Sequence, residues 1–291
     1  MRFSDLLIAA VVCIAWGLNA VAAKVGVTYI PPAFFTAIRF VFVLIFLLPW
    51  LKPVPGQWGA LIPAVFFMGG LHFALIFTGA QLSDASTMAI VNQLYVPFAA
   101  LIAMAFLHEI VPWQRWLGIG LAISGVVVFS LDASVSSHLL GVFLLVVDAL
   151  SMAIGTVLLR RLSGVEPFVM QAWMAALGIP FLLLTSLVFE TGQMTALSSA
   201  PWQGWAALAY TVIAGSLIGH TLYYVLLQRY EVSLVGSVLL PGPAIGVLGG
   251  VAMLGEPVTP LILVGAAMTL AGVGIVLKRA DLPAIEPAEG V

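Results

Sequence analysis

Asp148 is the residue hardest to explain by packing alone. It stands in LLVVDALSMAIG, within an apolar run long enough to cross a bilayer, where a central charge costs roughly 2.5–3.5 kcal/mol on insertion scales. A carboxylate at that depth can carry a coupling proton or receive a substrate amine. It can equally serve as a protonated or hydrogen-bonded packing group, with Ser151 one helical turn on as its partner. His72 and His220 lie mid-run in two other segments. Imidazole titrates near neutral pH and suits a proton relay; a neutral ring bonded to a neighbouring helix is the plainer use. Asp148, His72 and His220 are the candidates for moving protons.

A second group of polar residues could form a pocket. Asn19 follows Trp16 by three residues, so both share a helix face. Asn92, Gln93 and Tyr95 cluster in one run, and Tyr223 and Tyr224 follow His220, with Tyr223 on its face. Aromatic walls with a few aimed polar groups describe a small-molecule site, although Asn and Gln also bond neighbouring helices in membranes. Pro241-Gly242-Pro243 interrupts another run. Two prolines remove two donors, kink or unwind the helix, and free carbonyls that can bind a substrate ammonium; Pro97 lies at a similar depth. The predicted substrate-binding set is Trp16, Asn19, His72, Asn92, Tyr95, Asp148, Ser151, His220, Tyr223, Pro241 and Gly242. Arg39 and Lys24 could orient a carboxylate, though Lys24 is better placed to snorkel to headgroups. Trp173 is a wall residue or faces lipid. Glu109 and Glu256 end helices and precede new ones, where a carboxylate favours a helix N-terminus.

Other chemistries are disfavoured. Two histidines without clustered Cys or carboxylates make a poor metal set, and no cofactor motif is present. The chain lacks a P-loop, so nucleotide hydrolysis does not drive it directly. His108-Glu109 is followed by Ile-Val-Pro-Trp, without the second His of a metalloprotease helix, so an enzyme is not expected. Cys13 is the only cysteine, and there is no basic stripe for nucleic acid.

These residues need a scaffold, and composition defines it. The chain is 63% hydrophobic and 8% charged, with mean hydropathy +1.18; lipid must solvate most of it. Runs of about 20 residues, without ten-residue alternation, mean helices rather than a barrel. Ten spans are predicted, near 5–23, 33–51, 58–79, 84–107, 114–131, 138–160, 168–189, 204–227, 232–254 and 260–278. Ala20-Val21-Ala22 resembles a signal-cleavage site, but cleavage there would cost the first half a helix.

The chain also repeats itself. LHEIVPWQRWLGIGLAISGVVV (Leu107 to Val128) aligns without a gap on LGEPVTPLILVGAAMTLAGVGI (Leu254 to Ile275), placing Glu109 on Glu256, Gly118 on Gly265 and Gly125 on Gly272. Asp84 and Ser86 fall on Glu231 and Ser233, His72 falls one position from His220, and Pro32 and Pro167 each precede the second span of a half. The predicted fold is all-α integral membrane, with ten transmembrane helices as two five-helix repeats over 1–135 and 136–280. An odd number of spans per half makes the repeats inverted, a recurrent basis for alternating access. The glycines of the fifth and tenth spans allow close helix approach, either bracing the repeats or forming a homodimer face.

With the N-terminus inside, Arg2, Lys52, Arg115, Arg160, Arg161, Arg229, Lys278 and Arg279 all fall on the inner side and only Lys24 near the outer. This fits the positive-inside rule, with both termini cytoplasmic. The tail 281–291, DLPAIEPAEGV, is predicted to be disordered.

Several of these features resemble the ten-helix form of the EamA-like transporter family, of the drug/metabolite transporter superfamily. They are WGLNAVAAKVG (Trp16 to Gly26), PPAFFTAIRF (Pro31 to Phe40), the Leu-x-Glu turns before Gly-rich helices, and LLQRYEVS (Leu226 to Ser233). The resemblance covers about residues 5–279; the first half has LHE where the family has LGE. It implies an inner-membrane carrier, often an exporter of amino acids or related metabolites, whose fifth and tenth helices lie outside the cavity. Few fixed charges line the expected path, so a small neutral or zwitterionic metabolite is the expected cargo, protons a candidate coupling ion and lipid the surroundings. The alternative is a lipid or drug flippase of the same fold.

Overall fold

Proline fixes where several helices start. Pro32, Pro167 and Pro260 each open a long helix, where the missing N–H would have had no intrahelical partner. The computed structural model describes residues 1–107, 112–159, 161–162, 164–230 and 232–277. The first Leu-x-Glu turn at Glu109, together with Arg160, Glu231 and the tail 281–291, lies outside them.

Among the described residues the chain forms ten long helical spans. α1 is Phe3–Tyr29 and α2 is Pro32–Leu47. α3 comprises Trp58–Val65, a π-helical turn at Phe66–Leu71, and His72–Leu82. α4 comprises Ala85–Val91, a tight 3-10 turn at Asn92–Leu94, and Tyr95–Leu107. α5 is Trp113–Ser130, α6 Leu139–Leu159 and α7 Pro167–Phe189. α8 comprises Trp202–Tyr210, a π-helical turn at Thr211–Ile218, and Gly219–Arg229. α9 is broken into Val232–Leu239 and Pro241–Leu254, and α10 is Pro260–Leu277. Nine of these spans are long and apolar enough to cross a membrane; the tenth, α5, carries Gln114 and Arg115 in its first turn. α1 continues past the predicted end at 23 because the Lys24 ammonium is anchored, donating to the carbonyls of Ser83 at 2.5 Å and Gln81 at 3.1 Å.

The pairing of α5 with α10 defines the relation between the halves. A side-chain carbon on Gly118 would meet the Gly272 carbonyl at 2.8 Å, and one on Gly125 would meet that of Gly265 at 2.7 Å. The two helices therefore run antiparallel with their backbones almost touching. Gly118 aligns with Gly265 and Gly125 with Gly272, so each glycine meets the counterpart of the other. Such reciprocal pairing is what a two-fold axis produces. α2 and α7, also counterparts, run antiparallel: Ala33 meets Glu190 at one end and Phe40 meets Gly178 at the other. The repeats are inverted. The seam glycines are used within one chain, bracing the halves.

Interruptions obey the same symmetry. On the register that places Leu107 on Leu254, the tight turn Asn92–Leu94 of α4 falls on the break of α9 at Leu239–Pro241, and the π-turn of α3 falls within that of α8. A π-turn inserts one residue into the ladder and leaves backbone groups for outside partners. Ser151 donates to the Phe67 carbonyl at 2.8 Å, and Trp16 donates to that of Gly215 at 3.1 Å. Aligning Pro32 on Pro167 places Trp16 on Ser151, so each half supports the other's π-turn from equivalent positions.

Candidate functional site

Both π-turns deliver the chain directly to a histidine. His72 is the first residue after the turn in α3 and His220 the second after that in α8. Between the halves lies a cavity of about 520 Å³, within the usual range for small-molecule sites. Of the predicted set, Trp16, Asn19, His72, Asn92, Tyr95, His220, Tyr223 and Gly242 line it, with Gln93. The cavity is asymmetric in depth. On α6, which starts at the face opposite the N-terminus, it is lined by Met152, Thr156 and Leu159; on α10 by Val273 and Leu277; on α7 by Met170, Gln171, Met174 and Ala175. All of these lie toward the face where α1 begins. At the opposite face, Phe35 and Phe77 pack with ring centroids 5.7 Å apart, and Gln81 donates to the Val27 carbonyl at 3.3 Å.

Asp148, Ser151 and Pro241 stand off the wall. Asp148 has no exposed surface; it lies behind the lining, where Oδ1 pairs with Nδ1 of His72 and Oδ2 accepts from Asn92 at 2.9 Å. Its chemistry reaches the cavity through His72. Ser151 is spent on the π-turn of α3 rather than on Asp148. Pro241 is exposed on the far side of the α9 break, while Gly242 and Pro243 face inward. The counterpart of Asp148 in the first half is Cys13, so the acid–imidazole pair, which joins Asp148 of the second half to His72 of the first, has no acid at the equivalent position of the other half.

Around the second histidine the wall is aromatic. Trp16 lies edge-on to His220 at 5.2 Å and tilted against Tyr223 at 5.1 Å, and Nδ1 of His220 sits 3.0 Å from the Gly215 carbonyl. Trp173 is neither wall nor lipid contact alone: its indole donates to the Lys52 carbonyl at 2.8 Å and packs against Trp58.

Arg39, read from sequence as able to orient a carboxylate but left out of the predicted binding set, is a wall residue. It is 3% exposed and lines the cavity rather than the outer face. Nε and Nη2 donate to the Ser216 hydroxyl at 3.1 and 2.9 Å, and the guanidinium lies 5.1 Å from the Phe73 ring and 5.6 Å from that of Phe77. Gln171, unforeseen from sequence, donates to the Ser216 carbonyl at 3.2 Å. The signal was present in the PPAFFTAIRF run, where Arg39 lies about two helical turns inside the span; its polar partner Ser216 is 177 residues away. Glu256 caps a helix, but α4 rather than the helix that follows it: it accepts from Ala85 N–H at 2.7 Å and Ser86 N–H at 2.9 Å.

Ten spans in two inverted repeats around a mainly apolar cavity with a few polar groups on its wall have the architecture of a membrane carrier. The model of the EamA-like transporter family matches residues 3–131 and 139–278, and the chain belongs to that family. It is 28% identical over 294 residues to a "Probable amino-acid metabolite efflux pump" of Salmonella typhimurium (strain LT2), covering 94% of this chain and 95% of that one. A protein of the same description from Escherichia coli (strain K12) is 26% identical over 285 residues, with the same coverage. A solved crystal structure matches in fold with TM-score 0.64 and 18% identity, over 94% of this chain and 96% of that one. The protein is a multi-pass membrane transporter.

Proposed function

We propose that this chain is a secondary carrier exporting small zwitterionic metabolites, amino acids among them, by alternating access between two repeats that meet at residues 135 and 136. The observation that carries the reading is the cavity itself. It lies at the interface of inverted halves, is closed at one face, and holds its polar groups on or beside broken helices. That is where carriers of this architecture place their cargo. The descriptions of the two relatives support amino acids as the class.

The Lys and Arg residues gathered at the face where α1 begins support a cytoplasmic N-terminus in the inner membrane. The cavity then faces the cytoplasm, the loading side for an exporter. His72 and Asp148 form the one buried acid–imidazole pair among the described residues, and the proposed coupling step is proton transfer on this pair. The test is counterflow in liposomes containing the purified protein, with a panel of labelled amino acids, with and without a pH gradient. Accelerated exchange of at least one amino acid supports the reading. Inactivity across the panel, with protein shown to be folded, overturns it in favour of a lipid or drug flippase.

A further inference from the structure

Arg39 carries a charge that no carboxylate among the described residues neutralises. It is 3% exposed at mid-depth of α2. Asp148 is already held by His72 and Asn92. Ser216 takes two of the guanidinium's donors, and Nη1 has no hydrogen-bond partner. An uncompensated buried cation is costly and is retained where a ligand completes it. Phe73 and Phe77 lie beside the guanidinium at 5.1 and 5.6 Å, and its planar fork matches a carboxylate in two-pronged fashion.

A second unpaired group stands close by. Oδ1 of Asn19 is buried without a hydrogen-bond partner. Asn19 and Arg39 converge on the side-chain-free face of Gly215: a carbon added there would touch the Asn19 amide and lie 3.8 Å from Nη2 of Arg39. An unpaired cationic donor and an unpaired neutral acceptor, on side chains that converge at Gly215, complement a carboxylate and an adjacent ammonium. Further toward the N-terminal face the cavity is lined by Met68, Met152, Met170 and Met174, unbranched thioethers that adapt to apolar groups of different shape.

We propose that Arg39 binds the carboxylate and Asn19 the ammonium of an α-amino acid, with its apolar side chain against the methionines. This rests on the carrier reading above and deepens it: the cargo is selected by its α-amino acid head, and apolar side chains are accepted broadly.

The test is inhibition of labelled L-leucine counterflow in liposomes by unlabelled L-leucine, L-leucinamide, 3-methylbutylamine and 4-methylpentanoate. The wild type should discriminate against the two compounds without a carboxylate by roughly tenfold or more, as loss of a charge-assisted hydrogen bond implies. Arg39→Gln should weaken leucine by a similar factor and treat leucine and leucinamide alike, with Arg39→Lys intermediate. Asn19→Ala should narrow the gap between leucine and 4-methylpentanoate. Wild type inhibited as well by leucinamide as by leucine overturns the assignment without any variant. So does Arg39→Gln that still prefers leucine. Absence of any amino acid exchange by the wild type would instead overturn the underlying carrier reading.

Discussion

Asp148 on α6 holds Nδ1 of His72 on α3 with one carboxylate oxygen and the amide of Asn92 on α4 with the other. One buried acid thus ties three spans together and presents two of its partners to the cavity. A change in its protonation alters what both partners offer to a bound molecule, without the acid itself meeting cargo.

Asp148→Asn keeps the shape and removes the charge. The expected outcome is flux in liposomes that no longer responds to an imposed pH gradient, with thermal stability near wild type. Asp148→Leu strands the buried His72 ring and the half-buried Asn92 amide and should lower stability by about 3 kcal/mol, read by thermal unfolding in detergent. An unchanged pH response in the Asn variant would remove the pair from coupling.

The seam between α5 and α10 makes a steric prediction. Gly125→Val must displace the Gly265 carbonyl and Thr269. Overpacking typically costs about 1–3 kcal/mol, and backbone yields less readily than side chain. Gly120, on the same helix, has nothing within 4 Å of an added carbon. Gly120→Ala should leave the unfolding temperature unchanged or raise it slightly, while Gly125→Val lowers it.

Two carboxylates cap helices of the opposite half. Glu190 accepts from Ala33 N–H at 2.6 Å and Phe34 N–H at 3.1 Å at the start of α2, as Glu256 does for α4. Glu190→Ala and Glu256→Ala should each cost roughly 0.5–2 kcal/mol. The double variant should be additive, since the sites share no partner. Stability measured in detergent for the three variants checks this.

Asp132, between α5 and α6, predicts a response to acid. The Ser134 hydroxyl first, then the Thr259 hydroxyl and the Ser134 N–H, hold its carboxyl below the usual carboxylate range against the opposing effect of burial. A depressed folded-state value contributes stability that is present above the unfolded value, about 3.9. That contribution is lost as pH falls through the folded value. Asp132→Asn should lower the unfolding temperature at neutral pH, with the difference from wild type vanishing at the acid end.

The ten spans, the repeat and its inversion were legible because lipid forces apolar runs of fixed length, and because Glu256, Gly265 and Gly272 repeat Glu109, Gly118 and Gly125 in register. Trp16, Asn19 and His72 could be placed on the wall since rare polar groups in such runs turn inward. Ser151 and Asp148 could not be told apart from wall residues, because their partners, the Phe67 carbonyl and the His72 ring, lie on another helix 84 and 76 residues away. The π-turns left no composition signal; FFMGGL and TVIAGSLI are ordinary apolar helix. Arg39 was visible, but its depth depends on how α2 packs on α8, which periodicity does not encode.

The reciprocal glycine pairing of α5 and α10 bears on how such a chain can arise. A fragment ending in either helix already carries both sides of the contact, so two identical five-helix pieces inserted in opposite senses could join along it. Fusion into one polypeptide decides once which copy enters from which side. Thereafter each copy is free to diverge, as Cys13 in one and Asp148 at the equivalent position of the other illustrate.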